Sequence, residues 1–437
     1  MVKSIYRILM IVFLIWLGVS CVSIRNNYLG TVTNSGSIVI PKFISSEKKK
    51  QLLQSKTDSL LLSITVKKKQ KNYLKAKEIN QLHSAFGQQL NNDRYSQYLL
   101  KCKAINLDHL SEKQYVAALE LLSSAANYEQ SYQKNKTVRR NLNRGDLGNN
   151  IPKHILHKSR NFLYSPSVRK TLKFNCIRFY GQQTDSLLNR LPKTNTCIAL
   201  RNRVFRNNDR IHSILYTSAY AGSYVVGNTI GLFHKKTNRE RNAKLLGPQL
   251  QPFDLVVMKS PHHLTDQFIP GYFGHVGIWL GSDLASRLTN KSAKKDDSKG
   301  RVLVEVLRSG VKISALKEFC DGDLFLIIRP TRLTSEQKET ILSNTRKQLP
   351  KDYDFNFDIE SPEAITCTEL VYLTYDFIDW QVRYTWSRYT LSPDDLAYTA
   401  LKNDQFEFPV FIENGSIKDK PDTAFIRSLV GLPVNIP

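Results

Sequence analysis

The feature that most restricts the fold is a change of periodicity near Pro248. Beyond it the chain breaks into short runs rich in β-branched residues: Asp254–Met258, His275–Gly281, Val302–Leu307, Val311–Ile313 and Asp323–Arg329. Turn residues separate them, a pattern that predicts a small antiparallel sheet. Helical spacing then returns over Thr334–Gln348 and Ala364–Ile378. A further helix is predicted from Ser392, where Ser-Pro-Asp-Asp offers an N-cap, a proline at the first position and early acids. Before Pro248 the spacing is helical, as at Tyr115, Ala118, Leu119 and Leu122, and again from His154 to Leu172. The fold class is therefore α+β, with the helical part first.

Charge divides the chain at the same place. The net charge is +25, yet residues 251–437 hold 22 Lys and Arg against 26 Asp and Glu, whereas residues 1–250 hold 41 against 12. A hydrophobic content of 41% excludes a disordered chain, and 437 residues exceed what one core usually organises. The basic half reads either as a solvated surface or as a face toward an anionic partner, nucleic acid or membrane. Its densest run is Lys67-Lys68-Lys69 with Lys71.

The first residues favour the membrane. Lys3 and Arg7 precede an apolar run from Ile8 to Val19 that ends at Ser20-Cys21. That is the pattern of a secretory signal, and the run falls short of the ~20 apolar residues of a span. Leu17-Gly18-Val19-Ser20-Cys21 resembles a bacterial lipobox, with the leucine one position further from the cysteine than usual. The resemblance implies lipidation of Cys21, export, and a lipid anchor in the outer membrane of a bacterial envelope. An anionic membrane surface is then the expected partner. No nucleic acid is expected, since no interleaved aromatic and basic RNA-binding motif is evident.

The expected organisation is a signal segment at 1–21, a polar tether at 22–44, a basic helical region at 45–246 and a second domain at 247–437. The small, apolar run from Tyr216 to Phe233 suits a buried helix hairpin or an interfacial membrane segment. Export leaves Cys102, Cys176, Cys197, Cys320 and Cys367, an odd number, so at least one thiol is unpaired in an oxidising compartment. Cys176 with Cys197 is one pairing open to them. The absence of a CxxC pair argues against structural zinc.

Cys367 stands after Ser361-Pro362 and at the start of an apolar helical run, where the helix dipole favours a thiolate. Read alone, it is as compatible with an inert core cysteine. His275 alternates with Gly277 and Trp279 on one strand face, and nearby glycines leave room for a partner to approach. Glu305, one carboxylate among five aliphatic residues, is either an outward-facing residue or a group that orients an imidazole. His262, His263, Asp266 and His275 have the chemistry of metal ligands. The prolines and glycine around the first three fit a loop better, with His263 touching substrate or covering the thiol.

Four segments in order resemble the permuted papain-like amidases of the YiiX/YaeF type, within the NlpC-like superfamily. They are Phe253-Asp254-Leu255-Val256, then Ile269-Pro270-Gly271 with Gly274-His275-Val276-Gly277-Ile278. Next come Tyr353-Asp354-Phe355-Asn356-Phe357-Asp358 with Cys367-Thr368-Glu369-Leu370-Val371-Tyr372, and last Leu391-Ser392-Pro393-Asp394-Asp395-Leu396. The resemblance covers roughly residues 247 to 410. It implies a circularly permuted papain-like domain, an antiparallel sheet packed on helices, with no cofactor and no metal. In it Cys367 would be nucleophile, His275 general base, Glu305 the orienting group and Tyr353 an oxyanion or pocket residue. Phe253 stands where the family often has glycine, and Thr368 where it has serine after the cysteine. The implied activity is hydrolysis of an amide or ester through a thiol acyl-enzyme. The substrate would be an acylated lipid, a lipoprotein or a peptidoglycan-derived peptide. An acyltransferase acting on lipids and a non-catalytic lipid-binding envelope protein are the alternatives.

Overall fold

The computed structural model describes residues 57–67, 73–92, 110–133, 135–180, 239–259, 271–289, 301–385 and 388–431. Cys21 and the signal-like segment, Lys68, Lys69, Lys71, Cys102, Cys197, the run 216–233, His262, His263 and Asp266 lie outside the described residues. Among the described residues no helix is long and apolar enough to cross a membrane.

Residues 57–67 are helical and precede α1 (Ala76–Asn92), α2 (Glu112–Ser131), α3 (Lys136–Arg144), α4 (Ile155–Leu163) and α5 (Pro166–Tyr180). A reciprocal cap between Ser111 and Gln114 starts α2. Its apolar stripe, Tyr115, Ala118 and Leu122, buries against Leu163 and Leu172 to form a satellite core. The helical pattern from His154 to Leu172 is divided into α4 and α5, because Pro166 lacks the N–H that would extend α4 and instead opens a new helix.

The second half begins with α6 (Arg239–Leu246) and alternates strands with helices. Five strands carry the centre of one sheet: β1 (Leu255–Lys259), β2 (His275–Trp279), β3 (Arg301–Leu307), β4 (Gly310–Ala315) and β5 (Leu324–Pro330). Between them lie α7 (Gly281–Thr289) and α8 (Leu316–Phe319), and after them α9 (Ser335–Gln348), α10 (Cys367–Thr374) and α11 (Pro393–Leu401). Short strands β6 (Phe406–Glu407), β7 (Val410–Glu413) and β8 (Ser416–Asp419) and helix α12 (Thr423–Val430) follow. The order across the sheet is β8-β7-β5-β1-β2-β3-β4, with β6 also on β5, and each pairing is antiparallel. The fold is α+β, as the periodicity predicts.

Strand alternation produces two apolar faces. Leu255, Val257, Val276 and Ile278 share a core with Leu370 and Val371 of α10. Val256, Met258 and Phe325 cluster with Leu246 of α6 and Phe319 of α8. The helical pattern at Ala364–Ile378 is realised only over Cys367–Thr374. Thr366 caps it, and Ala364–Ile365 instead pairs in parallel with Asp352–Tyr353.

The N-terminal helices pack into the larger core rather than apart from it. Ile79, Leu82 and Phe86 of α1 belong to the same cluster as α10. Polar contacts fix the docking: Asn80 Nδ2 donates to the Leu373 carbonyl (2.9 Å) and to Asp376 (2.8 Å). Tyr372 donates to the Leu74 carbonyl (2.9 Å), while the Leu74 N–H donates to Glu360 (2.8 Å). Helix α10 is thus held between the sheet and α1.

Behind it lies a buried charge network. Asp146 is 2.8 Å from His83 Nδ1 and 3.4 Å from Lys351 Nζ, and His83 Nε2 also meets Asn141. Burial alone would raise the Asp146 carboxyl, but Lys351 and His83 hold it below the usual carboxylate range. Burial lowers the Lys351 pKa, with Asp146 opposing that trend. The helical half therefore supplies the counter-charge of a lysine buried in the second half. Asp146→Asn should cost about 3–5 kcal/mol, because it leaves Lys351 buried without its anion. Urea unfolding of the full chain measures this, and adding Lys351→Met to the same chain should restore most of the loss. An unchanged midpoint in the single variant would refute the pairing.

Candidate active site

Two element starts converge at the centre of the sheet. Cys367 is the first residue of α10, and the cap before it is reciprocal. The Thr366 hydroxyl accepts the Glu369 N–H (3.2 Å), and the Glu369 carboxylate accepts the Thr366 N–H (2.9 Å). The thiol stands where first-turn amides and the helix dipole favour negative charge. His275 is the first residue of β2. Its Nε2 lies 2.8 Å from Glu305 Oε2, and the Cys367 thiol is near enough to the same ring to raise its pKa. Glu305 reaches the ring through register: it sits opposite Gly277 on β3, so it shares a face with the histidine two residues along β2. With Nε2 engaged by the carboxylate, Nδ1 is the nitrogen left for the thiol.

Burial and pairing act in opposite directions on the imidazole and on its carboxylate. Burial works against an imidazolium at His275, but the hydrogen bonds and charges of Cys367 and Glu305 outweigh it and push its pKa up to about 10. Burial would likewise raise Glu305; its bond to His275, with Ser314 and Lys312, brings it below the usual range instead. Cys320, also fully buried, is a contrast: burial, then the Glu305 charge, pushes its thiol up to about 12. Cys367 differs from it in having an imidazole partner and a place at a helix start.

Surrounding residues fix the geometry. A Cβ at Gly277 would come within 2.6 Å of Leu303 and 2.9 Å of Phe319. The space that this glycine leaves is therefore filled by core side chains, not by a reacting partner. Phe319 also lies against the imidazole, with ring centroids 5.6 Å apart. The loop entering β2 is gripped by Asp394, which accepts the N–H groups of Tyr272 (2.6 Å) and Phe273 (2.9 Å). A Cβ at Gly271 would lie 2.6 Å from the same carboxylate. Asp254 is buried and bound in two places by Arg329, Nε to Oδ1 at 2.9 Å and Nη2 to Oδ2 at 2.8 Å. Phe253 adopts φ 77°, in the left-handed region that favours glycine, and its carbonyl accepts the Tyr375 hydroxyl (2.7 Å). Thr368 donates to the Leu391 carbonyl (2.7 Å), tying α10 to the start of α11.

An acidic floor lies under the thiol. Asp354 accepts the N–H groups of Asn356 (2.8 Å) and Asp358 (3.0 Å) and is pushed up to about 7 by burial, with Glu363 and Asp358 adding. Glu369 is raised well above its usual value by burial and then by Asp354. Tyr353 is buried nearby and also raised, by burial first and then by Cys367. It is thereby kept as a neutral phenol beside the thiol.

Residues 249–415 match the family described as permuted papain-like amidase enzymes, YaeF/YiiX, C92 family. No curated protein and no solved structure matches the chain. The site residues expected from the sequence that the structure brings together are Cys367, His275 and Glu305, with Tyr353 near the thiol. His263 and the lipidation candidate Cys21 lie outside the described residues. Among the described residues no group of three His, Cys, Asp or Glu is arranged to hold a metal. Ser314, which hydrogen-bonds Glu305, and Phe319 carry no sequence signal; both reach the site by strand pairing and chain reversal.

A histidine whose pKa is raised on folding contributes stability that is fully present below about 6.5 and lost as pH rises through about 10. In an NMR titration of the full chain, His275 should lose its proton near pH 10. Glu305→Gln should move that midpoint to lower pH, since an uncharged amide supports the imidazolium less. A midpoint that stays in place would show that Glu305 does not hold the ring.

Proposed function

We propose that the protein is a cysteine amidase or esterase that works through a thiol acyl-enzyme at Cys367. The pairing of Cys367 with the His275 ring, backed by the 2.8 Å contact of that ring to Glu305, carries this reading. It also tells against a binding module that merely retains the fold, in which nothing would keep thiol and imidazole in register. The match of residues 249–415 to an amidase family supports the same class of reaction.

In the first step the Cys367 thiolate attacks the substrate carbonyl carbon, forming a C–S bond and an oxyanion. Amides at the start of α10 and the Tyr353 hydroxyl are the donors suited to that oxyanion. The His275 imidazolium gives its proton to the leaving amine or alcohol as the C–N or C–O bond breaks. Water then adds to the thioester, His275 takes its proton, and the acid departs as the thiolate and imidazolium reform. Glu305 keeps the ring oriented and its positive charge balanced throughout. Attack by an amine or a lysolipid in place of water would make the same site an acyltransferase.

Acylated lipids, lipoproteins or peptidoglycan-derived peptides are the substrate classes we favour. The basic first half and the lipobox-like sequence at Cys21 support a setting at a bacterial envelope membrane, with the chain anchored in the outer membrane. Cys367→Ala should abolish labelling by a thiol-reactive acyl probe, and Cys320→Ala should leave it intact. His275→Ala should slow acylation by roughly 10²–10⁴-fold. Undiminished labelling of the Cys367 variant would overturn the proposal, and product analysis with a competing amine separates hydrolysis from transfer.

A further inference from the structure

The longest acid-free stretch with a described structure is residues 147–180, which hold seven Lys and Arg and no Asp or Glu. It builds α4 and α5. One side of α5 is committed to the satellite core through Val168, Leu172 and Cys176. The opposite side shows Lys170, Lys173, Phe174, Ile177 and Arg178 to solvent. Phe174 is 55% exposed and Ile177 50%, so two large apolar side chains stand free of the core. At 100° per residue they are neighbours one turn apart, with Lys170 a turn before Phe174. Lys173 flanks them on one side and Arg178 on the other. Among the described residues no carboxylate pairs with Lys170 or Lys173.

We propose that this face of α5 is the surface by which the folded protein lies on an anionic membrane. Phe174 and Ile177 enter the boundary between headgroups and acyl chains, while Lys170, Lys173 and Arg178 meet lipid phosphates. The inference rests on the membrane setting proposed above and names the part of the fold that makes the contact. A helix with a basic rim around a small apolar centre is the composition that seats in an interface. Lipid phosphates also match the charge of the whole segment. A second copy of the chain is a poor occupant, because a symmetric contact would set the same cations against each other. Nucleic acid would satisfy the lysines but offers nothing to Ile177.

The test uses the full chain and vesicles of phosphatidylglycerol and phosphatidylcholine, with pure phosphatidylcholine as control. A Phe174→Trp variant reports the position of α5 through quenching by phosphatidylglycerol brominated near the headgroup end of its chains. The expected result is quenching beyond that of the wild-type chain on anionic vesicles. Lys170→Glu with Lys173→Glu should abolish the extra quenching and weaken attachment about tenfold or more. Attachment without added quenching would overturn the assignment of α5 while leaving the membrane reading intact. Failure of the wild-type chain to attach to either vesicle would overturn both. Quenching of the introduced indole by a single-stranded oligonucleotide but not by brominated lipid would overturn it in favour of nucleic acid. Thermal unfolding of each variant beside wild type shows that the exposed substitutions leave the fold in place.

Discussion

Everything in the second half of this chain is arranged around one short line of groups, thiol to imidazole to carboxylate. Each member sits where its backbone leaves it little choice: Cys367 opens a helix, His275 opens a strand, and Glu305 faces the neighbouring strand two residues out of step with the histidine. The line spans three elements that are distant in sequence, so it exists only if helix α10 is pressed against β2 and β3 at the correct height. Apolar packing supplies the pressure, through Leu370 and Val371 against Val276 and Ile278. The capping box at Thr366 and the Thr368 bond to Leu391 set the height.

Such an arrangement is expensive for the fold. Ionisable groups collect under α10, and burial pushes Asp354 and Glu369 up, which keeps them from adding full negative charge beside the thiol. Lys351 is buried behind them and takes its counter-charge from Asp146, across the boundary that the change of periodicity marks. The basic helical half is therefore part of the same structural problem as the site. One of its surfaces completes the core around α10, while α5 turns its cations and two apolar side chains outward.

Sequence legibility followed the range of the interactions concerned. The five central strands and the helices at Thr334 and Ser392 were readable because their causes are local: alternation, caps and the proline at the first position. The helix around Cys367 was readable but too long in prospect, since the pairing of Ala364–Ile365 with Asp352–Tyr353 is a contact between separate segments. Gly277 was understood as room for a partner, whereas Leu303 and Phe319 fill that room. Both arrive through strand register and a helix forty-two residues further on, which no local pattern encodes.

The sequence by itself determined the α+β class, the charge division, and the set of chemically capable residues. Four ordered segments tied them to a known family. It could not decide between an inert and an activated Cys367, because position at a helix start leaves both open. Only the tertiary structure brings an imidazole, with its carboxylate behind it, to the Cys367 thiol. The physical reason is that the partners of a thiol are assembled from segments far away along the chain. Tertiary structure likewise decided that the helical half shares the core of the sheet-bearing half, through contacts such as Asp146 with Lys351 that no spacing rule connects.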